Sequence, residues 1–349
     1  MALGIVLHAA LPYFPNDIWP SDNFHSEPIR ILFEFIHVWR MPVFFILAGF
    51  FARLVIGRHS GRYWSIQRLR RIGLPLLVFW PVMAVMVPQV FGFGFTGSFP
   101  GLGGLKGELF WEIHHLWFLV HLLIFVLFFW FSRLIQRFLR LVFSSEIVNR
   151  VCGLFLSTIY FPVPAGLIFI LFVVLIGSGG EVIFNPFGGA LYFFFGYGLF
   201  SRKRLFDVMK SRWPVYLSAG LVVFVFYLLV QNQLPGKYDA DDGLDGLWSL
   251  LTLLKLVCAV LFSFGFIGLA ERRFGSESKR LRWLSDSSYW IYLIHLPIVT
   301  MITFMMFGVS IPVEIKFLLA IVLTSLIGIL TYKYLVRRTL VGVLLNGKR

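Results

Sequence analysis

A chain of 349 residues that is 58% hydrophobic and 18% aromatic, with only 14% charged residues, carries far more apolar side chain than one soluble core can bury. Its net charge of +14 raises nucleic acid as a partner, but the basic residues sit in short connections between apolar runs, where membrane topology accounts for them, so no nucleic-acid partner is expected. The apolar runs are helix-length, with no alternating pattern of an outer-membrane barrel, and two cysteines set far apart, Cys152 and Cys258, indicate neither a disulfide framework nor a thiolate metal site.

The chain opens on an apolar segment, Met1 to Leu11, too short to span a bilayer and without the basic stretch or small-residue cleavage site of a signal peptide. It is expected to be the outer part of a first helix truncated at its N-terminus. Nine further spans follow, at about 29–51, 72–92, 116–135, 151–176, 187–201, 213–231, 247–270, 287–308 and 315–335. Pro162 and Pro164 interrupt the fifth segment of the chain, and the sixth is short. The prediction is an all-α integral membrane protein, a polytopic bundle of about ten transmembrane helices forming a single domain over residues 1–349. No inverted repeat is evident and no linker sets off a soluble domain. The Gly-rich stretch from Gly92 to Gly107 lacks the strand before it and helix after it that a phosphate loop requires, and is expected to be an outer loop.

Loop charges test the span count, because cytoplasmic loops carry the Lys and Arg excess. Arg53 to Arg71, Arg133 to Arg150, Arg202 to Arg212, Arg272 to Arg282 and Lys333 to Arg349 make the even-numbered connections and the C-terminus basic. The intervening loops hold Asp17, Asp22 and Glu27, then Glu108 and Glu112, then Glu181, then Asp239, Asp241, Asp242 and Asp245. The alternation predicts a multi-pass inner-membrane protein with both termini cytoplasmic.

Several polar groups lie inside apolar segments. Glu34, His37 and Arg40 fall within a sector of about 120° and about 9 Å of helix axis, so they share one face; they form either a paired structural network or one facing substrate. Arg40 stays cationic when buried and suits an anionic group or a developing oxyanion. His8, in LGIVLHAALPY, is either hydrogen-bonded to a neighbouring helix or a general base for a hydroxyl proton. The stretch from Arg53 to Pro75 reads as a cytoplasmic loop and helix start; its six arginines, with Tyr63 and Trp64, suit a solvated loop or an anion cradle for a nucleotide-bearing donor. In ELFWEIHHLWFLVH, His114, Trp117 and His121 recur on one helical face with His115 about 100° away; an acceptor pocket fits better than a metal site, for which the spacing is too long. In SDSSYWIYLIHLP, Tyr289, Tyr292 and His295 recur every third residue along one helix side.

Taken together, LGIVLHAALPY, FIHVWRMPVFFILAGFF, RLRRIGLP, EIHHLWFL and SDSSYWIYLIHLP resemble, in order and spacing, the membrane-bound acyltransferase family 3, and within it the glucan-modifying group. The resemblance implies transfer of an acyl group, often succinyl, from cytoplasmic acyl-CoA to an osmoregulated periplasmic glucan, with acyl-CoA a donor substrate and no permanently bound cofactor. It implies that His8 is the catalytic histidine, that Arg40 matches the second-helix arginine, and that Arg68, Arg70 and Arg71 match the cytoplasmic basic motif. Beside them, Glu34 completes the expected catalytic set; His37, His115, Trp117, Tyr292 and His295 are expected to line the acceptor site, with no metal. The family's histidine follows an arginine by eleven residues, whereas His8 has seven residues before it, so the natural protein is expected to begin upstream. A transporter or flippase for a glycan or small anion is the rival reading, and an inactive scaffold a third.

Overall fold

The computed structural model describes residues 2–16, 19–101, 112–234, 245–274 and 278–346. Asp17, Glu108, Trp111, Asp239, Asp241, Asp242, Lys348 and Arg349, along with most of the Gly-rich stretch beyond Gly101, lie outside the described residues. Among the described residues there is no strand. Helix α1 (Ala2–Ala10) runs into a 3₁₀ turn, Leu11–Tyr13. It is followed by α2 (Glu27–Arg58), α3 (Gly61–Thr96), α4 (His114–Val142), α5 (Ser145–Ile159) and α6 (Ala165–Leu175). Next come α7 (Pro186–Leu199), α8 (Lys203–Gln231), α9 (Asp245–Phe274), α10 (Lys279–Met305), α11 (Val313–Thr331) and α12 (Leu340–Asn346). Seven of these, α2, α3, α4, α8, α9, α10 and α11, are long and apolar enough to cross a membrane. The chain is a polytopic all-α membrane protein.

The helices correct the sequence expectation in three places. The span expected at 151–176 is two helices, α5 and α6, because Pro162 and Pro164 remove backbone donors where the chain would have continued. The expected basic loop after α2 shrinks to His59 and Ser60, where the Ser60 hydroxyl accepts from the Tyr63 N–H at 3.1 Å and starts α3. Arg62, Arg68, Arg70 and Arg71 are therefore helical residues rather than loop residues. Third, α3 continues to Thr96, where Gly97 closes it in the left-handed region at φ 73°.

Contacts divide the chain into two compact units. The first holds the described residues of Met1–His37, Gln67–Val120 and Glu277–Arg349; the second holds those of Val38–Ile66 and His121–Ser276. In the first, α10 packs on α1, α3, α11 and α12. Ile5, Ala9, Tyr13, Ile29, Val299 and Phe317 belong to its apolar core. Two polar contacts tie the loop after α1 to the first turn of α11: Lys316 Nζ donates to Asp22 at 2.7 Å with neither side chain exposed, and Ser26 Oγ donates to Glu314 at 2.7 Å. The loop is pinned at its other side by Asp22 N–H to Pro12 O at 2.9 Å and Ser26 N–H to Tyr13 O at 2.8 Å.

In the second unit, the long helices α8 and α9 pack closely on each other, α9 also packs on α6, and α6 contacts α5 and α7. Helices α2 and α7 cross at two glycines. A Cβ on Gly49 would stand 1.8 Å from the Phe193 carbonyl oxygen, and one on Gly196 would stand 1.9 Å from that of Ile46. Only glycine admits this approach, which lets dispersion forces hold two helices that gain little from burying apolar surface in lipid.

Candidate active site

The site is built on α10. Pro297 has no N–H, so the carbonyl of Leu293 in α10 loses its helical donor and the helix wall there is open to a polar side chain. His115, at the start of α4, meets the carbonyl next to that one: its Nε2 lies 3.1 Å from the Tyr292 carbonyl. Tyr292 answers by donating its hydroxyl to the His115 carbonyl at 2.7 Å. One turn on, His295 Nδ1 lies 2.8 Å from the same Tyr292 carbonyl. A carbonyl only accepts, so His115 presents Nε2–H and His295 presents Nδ1–H. In the neutral rings the proton-accepting nitrogens are then His115 Nδ1 and His295 Nε2.

His8 of α1 completes the group. Its ring centroid is 5.2 Å from that of His295, and His295 is 5.0 Å from His115. Both His115 and His295 are buried, whereas His8 is half-buried and so the most accessible of the three imidazoles. Trp19 stacks on His8 with centroids 5.5 Å apart and planes 13° from parallel. The loop holds Trp19 there through Asn16, whose side chain accepts from the Trp19 N–H at 2.6 Å and donates to Leu11 O at 2.9 Å, and through Phe91, 4.8 Å away. Three segments far apart in sequence thus bring an accessible imidazole, two buried ones and an indole together in one unit. Among the described residues no group of three His, Cys, Asp or Glu is arranged to hold a metal ion.

An acyltransferase family profile, described as "Acyltransferase domain" and numbered 3 among such families, matches residues 1–333. The chain belongs to this acyltransferase family. Among curated relatives, Glucans biosynthesis protein C of Shigella dysenteriae serotype 1 is 28% identical over 381 residues, covering 100% of this chain and 92% of the relative. Glucans biosynthesis protein C of Escherichia coli K12 is 28% identical over 382 residues with the same coverage. No solved structure matches. The acyltransferase is an O-acyl-transferring enzyme.

Within the first unit of the acyltransferase, α10 connects the histidines to the arginines of α3. Residues Leu69–Gly73 form a π turn, with the Leu74 N–H reaching back to Leu69 O. Pro75 deprives the Arg71 carbonyl of its helical donor, and the Tyr289 hydroxyl supplies one at 2.8 Å. Tyr289, Tyr292 and His295 therefore run along one side of α10 from the arginine turn to the imidazoles, about 9 Å of helix axis. Arg68 and Arg71 are half-buried and Arg70 is exposed.

The remaining expected residues are placed as follows. Glu34 and His37 lie on α2 in the first unit, half-buried, with the His37 ring stacked on Phe33 at 5.2 Å; Arg40, also half-buried, belongs to the second unit. Trp117 is half-buried and meets Phe118 edge-on. The expected helical face of His114, Trp117 and His121 is not formed, because His114–Leu116 is a 3₁₀ turn with His114 in the left-handed region at φ 47°. That strained turn is what swings His115 toward α10. Trp19 and Lys316 were not anticipated as site or framework residues. A lone lysine in the apolar run that follows Glu314, EIKFLLAIVL, is the signal that could have pointed to a buried partner.

Proposed function

We propose that the protein transfers an acyl group, succinyl in the first instance, from cytoplasmic acyl-CoA to a hydroxyl of an extracytoplasmic carbohydrate such as a periplasmic glucan. The setting is a bacterial inner membrane with both termini on the cytoplasmic side. The observation that carries the reading is the convergence of His8, His295 and His115 at centroid spacings near 5 Å, with the accessible ring stacked under Trp19. A neutral imidazole at His8 takes the proton from the acceptor hydroxyl as its oxygen attacks the thioester carbonyl. The tetrahedral intermediate then collapses, the C–S bond breaks, and the departing CoA thiolate receives the proton from the imidazolium. The indole fixes the plane of the His8 ring, and the buried pair His295 and His115 supplies its polar backing. The Arg68 to Arg71 turn is the donor's dock in this scheme, and the Tyr289 to His295 side of α10 is the path between dock and base. Arg40 keeps the role that the family resemblance implies, and Glu34, His37 and Trp117 keep the catalytic and acceptor-lining roles read from their places in the sequence. The relatives' name, Glucans biosynthesis protein C, supports a glucan acceptor.

A positioned base contributes about 10²- to 10⁴-fold, so His8→Ala should nearly silence the reaction while leaving the protein folded. The test is mass spectrometry of periplasmic glucans from cells carrying the wild type, His8→Ala, or no copy of the gene. Loss of acyl decoration in both altered strains is expected. Full decoration with His8→Ala would defeat the base assignment, and unchanged decoration without the gene would defeat the acceptor. Recovery of a labelled acyl group on His8 would replace direct transfer with an acyl-histidine route.

A further inference from the structure

We propose that a cavity of the second unit is a binding site for the phosphate groups of a ligand. The cavity has a volume of about 340 Å³ and is lined by Arg53 of α2, Arg133 and Gln136 of α4, and Arg202 between α7 and α8, with Tyr197 and Ser201 beside them. That volume is at the lower end for a small-molecule site, enough for a phosphate ester and part of what it is attached to.

Each guanidinium is oriented by an aromatic ring. Arg202 lies 3.8 Å above the Tyr160 ring centroid and donates to Gly198 O at 3.3 Å. Arg53 lies 5.3 Å above Tyr197 and donates to its hydroxyl at 3.2 Å, and Arg133 lies 5.9 Å from the Phe129 centroid. None of the three is paired with a carboxylate among the described residues. The unit's carboxylates are engaged elsewhere in two cases: Glu181 with Lys255, and Glu271 with Lys210. Three like charges held around one cavity repel one another, and among the described residues that line it there is no Asp or Glu to offset them. Topology requires basic residues in three successive inner connections, but it does not require one from each to face a single cavity with its fork set by a ring.

The chemistry that satisfies this arrangement is a multiply charged oxyanion. Phosphate oxygens accept bidentate guanidinium pairs, and Gln136 with the Ser201 hydroxyl adds neutral donors. Arg133, Gln136 and Ser201 are exposed, so the mouth is open to ligand, while Arg53 and Arg202 are half-buried at the walls. A phosphate of this kind comes either on a soluble coenzyme or on an anionic lipid headgroup.

The experiment uses the full chain in nanodiscs and three probes: coenzyme A, inorganic pyrophosphate, and discs of phosphatidylcholine with or without phosphatidylglycerol. Arg53→Gln and Arg133→Gln are compared with Arg137→Gln, an arginine of α4 that does not line the cavity, and Arg53→Lys monitors folding. Binding of coenzyme A and pyrophosphate should weaken about tenfold or more in the two cavity variants and change little in Arg137→Gln. If instead only the retention of phosphatidylglycerol falls, measured by native mass spectrometry, the phosphate is a lipid's and the site stands. Equal affinity for every probe in wild type and cavity variants, or equal loss in Arg137→Gln, would overturn it. Because no turnover is read, a glucan left unmodified would defeat the catalytic reading without touching this one.

Discussion

Two polar centres lie inside the first unit, and they are built on opposite principles. At one, Lys316 and Asp22 meet at 2.7 Å with neither side chain exposed, a complete ion pair at the foot of α11. At the other, His8, His295 and His115 share an apolar wall, and the bonds that His295 and His115 make to Tyr292 O each use one nitrogen of an imidazole ring. A full pair leaves no capacity for chemistry and can only hold the chain in place. An imidazole with one nitrogen tethered is oriented and still able to move a proton. The pair nonetheless serves the histidines, because the loop it anchors carries Trp19 over His8.

The largest effect should come from breaking the saturated centre. Lys316→Ala leaves the Asp22 carboxylate buried without its partner, beside a helix N-terminus that only partly compensates, and a loss of about 3–5 kcal/mol is expected. Thermal unfolding in detergent should show it directly, with activity lost in step with folded protein. The joint change Asp22→Leu with Lys316→Met should restore most of that stability, since an apolar pair of similar volume avoids the desolvation of two charges. Failure of the double variant to recover would mean that the pair does more than hold the loop.

His295→Phe attacks the other centre and should reverse the pattern. The ring volume is kept and the melting point should move little, while turnover falls by about 10²-fold through a displaced His8. An effect on stability as large as that of Lys316→Ala would place the histidines with the framework instead. Tyr292→Phe comes next: it removes the donor to the buried His115 carbonyl, and about tenfold lower kcat is expected with a small change in KM.

This contrast also marks what could be read in advance. Buried polar residues in apolar helices are conspicuous because lipid offers them no solvent, so His8, Glu34, His37, Arg40 and His295 stand out from composition alone. Prolines are equally visible, and Pro75 announces a carbonyl freed at Arg71. What could not be read is which side chain answers each carbonyl. Tyr289 meets Arg71, and His115 meets Tyr292, across more than a hundred residues of chain. His114 gives no local sign of its left-handed turn, so a helical-face count through it assigned the wrong neighbours. Asp22, read as one more acid of an outer loop, is buried because Lys316 happens to stand where the fold brings it. Short-range periodicity carries through; partner choice depends on packing that no single segment contains.

The smallest effect is expected at the arginine turn. Tyr289→Phe removes the same kind of bond as Tyr292→Phe, a tyrosine hydroxyl donating to a carbonyl freed by a proline or crowded by a histidine. The difference is exposure. Tyr292 and His115 are buried, so the abandoned carbonyl finds no replacement, whereas Tyr289 and Arg71 are half-buried and water or a lipid headgroup can reach the gap. Tyr289→Phe should therefore raise the KM for the acyl donor by a few fold, about 1 kcal/mol or less, and leave kcat nearly unchanged. A fall in kcat matching that of Tyr292→Phe would mean that the two ends of this α10 face act as one rigid element, with the geometry of the donor turn transmitted directly to the imidazoles.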